Sequence, residues 1–362
     1  MIGHGWVLPG PRRFLSRILR DVVEGKCVVV DAPSRIHPEL AARIRGYLRD
    51  REHRVDSVPS KAAPLQAIVS VCAGLDDCDS VGALVSTIGF SKRTFVACAN
   101  DVDELNAWLD FMPAFHHGIV KLDQTTRPTI VLVGCCDGRP PSEDVALSNL
   151  HWKYVWRDAD SMALAESMLA HVVQKPSLFD LVAINTVARL AMWDEELALE
   201  LGKRPYDTVL DPVAVLKSVG LARKWDEVVT PGVESGTVGY LNGKEVVNSA
   251  WIAAVRRQSD ERTMEAGELW RRRWHAQAAV LLPWVEERRL ELHAQAAGYF
   301  PDSATNGDLS DTGPFAFALD RTNAPLSLKR KAHQLRRARN ELAHLRLLSP
   351  AAIRELNAEF PS

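Results

Sequence analysis

Paired cysteines, long apolar runs and a large excess of charge of either sign are all missing from this chain, and each absence closes off a class of protein. The six cysteines, Cys27, Cys72, Cys78, Cys98, Cys135 and Cys136, form no Cys-x-x-Cys pair, which argues against a zinc site or a disulfide framework. Cys27, Cys98 and Cys135 lie in or at the end of β-like apolar runs, where a cysteine acts as a small hydrophobe. No apolar run approaches the roughly 18 to 20 residues that span a bilayer. The start, Met1-Ile2-Gly3-His4-Gly5-Trp6, has no charged-then-apolar leader pattern, so a cytoplasmic protein without membrane contact is expected. With 44 Lys plus Arg against 46 Asp plus Glu, the net charge is −2. The chain as a whole is therefore no polyanion wrapper, and any basic surface must be local.

What is present is an ordinary globular composition, 46% hydrophobic and 25% charged over 362 residues, enough for about two domains. In the first half, short β-branched runs alternate with helical patterns, the signature of a parallel sheet covered by helices. Strands are expected at 26–30, 53–58, 94–99, 129–133 and 151–155. Helices are expected at 11–24, 38–50, 63–73, 80–87 and 102–111. Five strands with helical crossovers over residues 1–157 fit a RecA-like or AAA-type α/β core. Residues 158–225 read as a helical lid-like region in which 163–173 and 178–201 are the clearest pieces, and 226–260, rich in Gly and turn residues, reads as a connector.

The loop after the first strand is short of what an ATPase needs there. Gly-x-x-x-x-Gly-Lys-Ser/Thr would wrap phosphates in backbone amides and reach them with a lysine. Asp31-Ala32-Pro33-Ser34-Arg35-Ile36-His37-Pro38 has neither Gly nor Lys, and its prolines remove amide donors. Arg35 alone offers a cation. Asp101 and Asp103, after the third strand, stand where a magnesium-holding carboxylate would be found, or else open the helix at Val102. ATP hydrolysis and a bound cofactor are not expected. Element order and the segment Val7-Leu8-Pro9-Gly10-Pro11-Arg12-Arg13-Phe14 give the first half a loose resemblance to the small P-loop ATPases of bacterial phage-exclusion (BREX) systems.

Residues 261–362 read as all-α: a long helix at 265–299, which Pro283 should kink or divide, a polar loop at 301–314, a helix at 325–348 and a short one at 351–360. Residues 251–362 carry 17 Lys plus Arg against 14 Asp plus Glu, so the polyanion-facing part, if there is one, lies here. On an ideal helix Lys329, His333, Arg336, Asn340 and His344 share one wet face opposite Leu335, Leu342 and Leu345. Arg337 extends the basic surface, and Arg339 falls off that face. Trp270, Trp274 and Trp284 read as core or interface residues.

The run Arg336-Arg337-Ala338-Arg339-Asn340-Glu341-Leu342-Ala343-His344-Leu345 resembles the Arg-Asn-x-x-x-His signature of HEPN domains, small α-helical bundles many of which are metal-independent endoribonucleases. The resemblance covers about residues 262–348, including Trp270-Arg271-Arg272-Arg273-Trp274. RNA carries its own nucleophile, so cleavage needs a proton-transferring group near the 2′-hydroxyl and a fixed cation for the charge growing on phosphorus. Histidine and arginine suit these tasks. The resemblance then implies catalytic roles for His344, Arg339 and Asn340, RNA binding through Lys329, His333, Arg336 and Arg337, and a homodimer through the C-terminal helices. It also implies a prokaryotic defence or toxin setting. The alternative is a non-catalytic scaffold whose ATPase-like part docks a companion ATPase, with a helical part kept for dimerisation or RNA binding.

Overall fold

A computed structural model of the chain describes residues 4–51, 53–59, 63–72, 78–88, 92–135, 147–169, 176–255, 264–300 and 311–360. They divide into two compact units, one of Gly5–Arg157 with Thr230–Val246, the other of Asp158–Val229 with Val247–Ser362. The region read as a lid thus groups with the C-terminal helices, and the stretch read as a connector is divided, Thr230–Val246 grouping with the α/β part.

The α/β unit runs α1 (Pro9–Val23), β1 (Cys27–Asp31), α2 (His37–Arg49), β2 (Arg54–Ser57), α3 (Pro64–Ser70), α4 (Val81–Ile88), β3 (Arg93–Cys98), α5 (Val102–Ile119), β4 (Thr129–Gly134) and β5 (Leu147–His151). The sheet is parallel in the order β2-β3-β4-β1-β5, with Val28 opposite Val131 and Asp31 opposite His151. β1 and β4 are buried on both faces, which is why they are unbroken apolar runs. A hairpin, β6 (Val238–Leu241) and β7 (Lys244–Val247), forms a separate two-stranded sheet. Phe95, Trp108, Met112 and Phe115 anchor the core.

Two boundaries differ from the sequence pattern. The fifth strand lies at Leu147–His151, and the stretch expected to form it opens with a 3-10 turn, Trp152–Tyr154. As an edge strand paired only with β1, β5 alternates Leu with Ser, Asn and His and gives a weak β signal. α5 continues past Pro113 to Ile119. Burying Phe115 and Ile119 completely outweighs the hydrogen bond that the proline removes.

The second unit is helical: α6 (Asp158–Met168), α7 (Leu178–Ala191), α8 (Glu195–Gly202), α9 (Tyr206–Leu210), α10 (Val213–Ala222), α11 (Ser249–Val255), α12 (Met264–Ala296), α13 (Thr312–Asp320), α14 (Leu326–Ala343) and α15 (Pro350–Glu359). One core joins Leu178, Val182 and Leu210 to Leu281, Val285, Phe315, Leu335, Leu342 and Ile353. Pro283 does not divide α12, because Leu281 and Val285 on either side of it are both buried in that core. The helix expected over 178–201 breaks at Met192, whose φ is +53°. Asp194 then caps α8 by accepting from Leu197 N–H (3.0 Å) and takes Asn248 Nδ2 and the Arg223 guanidinium.

α14 ends at Ala343, five residues before the expected end. Leu345 turns left-handed (φ +57°), its N–H donates to Leu342 O (3.0 Å), and Arg346 N–H donates to Glu341 O (2.7 Å). That is a Schellman termination with Leu where Gly is usual. Two side chains of α12 hold it: Trp274 Nε1 donates to Leu342 O (3.0 Å), and Gln277 pairs with both the N–H (2.8 Å) and the C=O (3.0 Å) of Leu348. Trp274 therefore works as a packing and capping residue. Among the described residues no helix is long and apolar enough to cross a membrane. Cys136 and residues 301–310 of the polar loop lie outside the described residues.

Candidate functional site

In an open parallel sheet, ligands sit at the carboxyl ends of the strands where the chain's connections diverge. Here the chain leaves β1 toward β2 on one side and leaves β4 toward β5 on the other, so the divergence lies between the adjacent strands β1 and β4. A cleft of about 220 Å³ opens at that edge, lined by Ser34, His37, Asn100, Asp101, Cys135 and Glu234 among others.

The residues of the cleft are engaged with one another. His37, buried at the start of α2, donates through Nε2 to Ala32 O (2.7 Å) and ties the loop after β1 to the helix that follows. Asp101 caps α5, accepting from Asp103 N–H (3.0 Å) and Glu104 N–H (2.8 Å). This is the helix-opening role, with the carboxylate at the positive end of the helix dipole. Glu104 reaches back to the backbone and side-chain amides of Asn100 (2.9 and 3.1 Å).

The decisive contact was not legible as a motif. Ser34, in the turn that leads into α2, donates its backbone N–H to Glu234 Oε1 (3.1 Å) and its hydroxyl to Glu234 Oε2. A phosphate bound in this loop would claim those donors, and a carboxylate of the chain itself already holds them. Glu234 comes from the Gly-rich stretch between α10 and β6, where only turns were expected. Its partner is 200 residues away, and no local spacing announces such a pair.

Other groups along this edge of the sheet are paired or buried. Asp31 at the end of β1 pairs with His151 Nδ1 (3.0 Å) at the end of β5. Burial, then Glu245 and Asp31, push the Tyr240 phenol up. Desolvation drives the Cys27 thiol up to about 12 and raises that of Cys98. These cysteines behave as apolar filler, not as nucleophiles. Among the described residues no group of three His, Cys, Asp or Glu is placed to hold a metal ion.

On α14 the singled-out residues have separate fates. Lys329 Nζ donates to Asp320 O (3.1 Å) and Thr322 O (2.8 Å), closing the C-terminus of α13. His333 Nε2 meets Asp320 Oδ2 (2.8 Å). The Arg336 guanidinium lies 4.1 Å from the centre of the Phe317 ring. Arg339 pairs with Asp311 (3.2 Å), the N-cap of α13. His344 lies just beyond the helix, exposed, with its backbone N–H on Asn340 O (3.0 Å). As the C-cap it keeps the i→i−4 bond of the helix, and the chain leaves the helical path at Leu345. Arg337 is exposed and Asn340 is half-buried.

No family model matches the sequence, and no curated protein matches it. Among solved structures, a RuvB variant from Thermotoga maritima aligns over 66% of this chain and 90% of its own, at 13% identity and a TM-score of 0.32. The parallel α/β assignment rests on the sheet itself.

Proposed function

We propose that this chain is a regulatory or docking protein built on an AAA-like α/β unit that does not hydrolyse nucleotide, and that its helical unit is an interaction module. The observation that carries this reading is the Glu234 carboxylate held by the Ser34 N–H and hydroxyl at the amino end of the turn into α2. A loop without glycine or lysine, closed by a carboxylate, repels the group that an ATPase must hold. A companion ATPase is the partner that such a domain suits, since the α/β surface survives while the phosphate cradle does not. Titration calorimetry of the full chain with Mg-ATP tests it. The expected result is no Mg-ATP hydrolysis and no binding that Asp101→Ala removes; a low-micromolar, magnesium-dependent Kd lost in Asp101→Ala restores the enzyme reading.

A second reading, HEPN-type RNA cleavage, is favoured by the end of α14, where Arg337, Asn340 and exposed His344 make no side-chain hydrogen bond or ion pair among the described residues. On this reading His344 transfers the proton and Arg339, released from Asp311, stabilises the phosphorane charge. His344→Ala and Arg339→Ala each then lose roughly 10²-fold or more of cleavage. Cleavage persists in EDTA and leaves 2′,3′-cyclic phosphate ends. Undiminished cleavage in His344→Ala, or cleavage abolished by chelator, removes this reading.

A further inference from the structure

A second cavity of the α/β unit has the opposite electrostatic character. It encloses about 390 Å³ between the first turns of α1 and the carboxyl end of β5, and its lining includes Arg13, Arg17, Arg157, His151, Asn149 and Tyr154. Among the described residues no carboxylate lines it. From this arrangement we propose that the cavity binds a polyphosphate group, a diphosphate or triphosphate carried on a small molecule or on the end of a nucleic-acid strand.

The arginines stand where local electrostatics disfavour them. Arg13 and Arg17 are one helical turn apart on α1, so their charges repel across the helix surface. The first turn of α1 holds no acidic residue to offset them. Arg20, near the other end of the helix, lies against Asp21 and Glu24. Arg17 makes no ion pair among the described residues. Two like charges one turn apart that both face a cavity make a site awaiting an anion.

The cavity is also preformed. Ser148 Oγ donates to Asp21 Oδ2 (2.6 Å), and Phe14 packs edge-on against Trp152 (5.6 Å), so α1 is fastened to β5 and to the turn after it. Arg13 Nε is held on Pro9 O (3.2 Å), which leaves its terminal nitrogens for a ligand. Asp31 engages Nδ1 of His151 and leaves Nε2. Walls fixed in advance reduce the entropy lost on binding. Arginine forks match phosphate oxygens two at a time. The Arg13 and Arg17 forks together with an imidazole, beside Arg157, exceed what one phosphate can engage, and the volume lies within the range of small-ligand pockets. This site shares no lining residue with the cleft closed by Glu234, so binding here is unchanged in Asp101→Ala, whereas binding in that cleft is lost.

The test is calorimetry of the full-length chain with pyrophosphate, repeated on Arg17→Ala and on the Arg13→Ala/Arg17→Ala double variant. Both side chains are exposed, so unchanged thermal melting is expected in the variants. Micromolar binding is expected, weakened roughly tenfold or more by Arg17→Ala, the scale of a lost charge-assisted hydrogen bond, and undetectable in the double variant. Absence of binding at millimolar pyrophosphate, or equal binding in the double variant, overturns the proposal. Competition with RNA oligonucleotides identifies the source. Displacement by a 5′-triphosphate strand but not by a 5′-hydroxyl strand assigns the group to a strand end, and displacement by neither assigns it to a free polyphosphate. Equal displacement by both strands overturns the proposal, because the contact is then with backbone charge.

Discussion

The two units use their charged residues in opposite ways. In the α/β unit the apolar strands fill the interior, and many polar groups gather at the carboxyl edge of the sheet, in an acidic crest beside β1 and β4 and an arginine-lined cavity beside β5. In the helical unit, arginines that read in sequence as a polyanion surface are built into the framework. Arg272 is buried between Glu268 (3.0 Å) and Ser249 Oγ (2.7 Å), and Arg273 holds Leu210 O (2.9 Å) and Asp211 (3.0 Å). Desolvation lowers the pKa of both guanidiniums. A parallel sheet satisfies its backbone internally and exposes loops only at the strand ends, so ligand chemistry collects there. Long arginine side chains can cross between helices, reach free carbonyls and bury their stems.

The comparison breaks most visibly in the cores. Phe95→Ala in the α/β unit and Phe315→Ala in the helical unit should each cost about 3 to 5 kcal/mol, read by chemical denaturation of the full chain. A loss under 1 kcal/mol for either would show that its surroundings collapse around the cavity and that the core is less tightly packed than described. Next comes the claim that the helical unit's basic residues are structural. Glu268→Ala should cost about 1 to 3 kcal/mol by leaving Arg272 without its carboxylate. A neutral result would show that the buried Arg272–Glu268 pair does not hold the helical unit together.

Helix ends give effects near 1 kcal/mol and of opposite sign in the two units. Asp101→Ala removes the cap of α5 and should destabilise by about 1 kcal/mol. Leu345→Gly relieves a left-handed leucine and should stabilise by about 1 kcal/mol. Thermal melts check both, and a destabilised Leu345→Gly would mean that α14 ends otherwise. The smallest effect is one of pH. The hydrogen bond from Arg289 holds the Glu286 carboxylate below its usual range, and the pair bridges one turn of α12. A lowered folded pKa means that this stabilisation is full above the ordinary glutamate range and is lost as pH falls through the lowered value. Because Glu286 is about half exposed, it should amount to a few tenths of a kcal/mol. It is measurable as a difference between the parent chain and Glu286→Gln that vanishes in acid.

Much of the architecture was written in the residues themselves. Unbroken apolar runs such as Cys27–Val30 and Thr129–Val133 require burial on both faces, which only a covered parallel sheet supplies. The missing glycine and lysine after β1 were equally plain, since the chemistry of a phosphate cradle is local. What only the tertiary structure decided are the long-range events: Glu234 reaching Ser34, Trp274 and Gln277 ending α14 ahead of its helical pattern, and Asp320 and Asp311 engaging His333 and Arg339 of α14. Each depends on a partner between 13 and 200 residues away. Periodicity and propensity report on near neighbours only, whereas side-chain hydrogen bonds and ion pairs are set by which distant elements the core brings together.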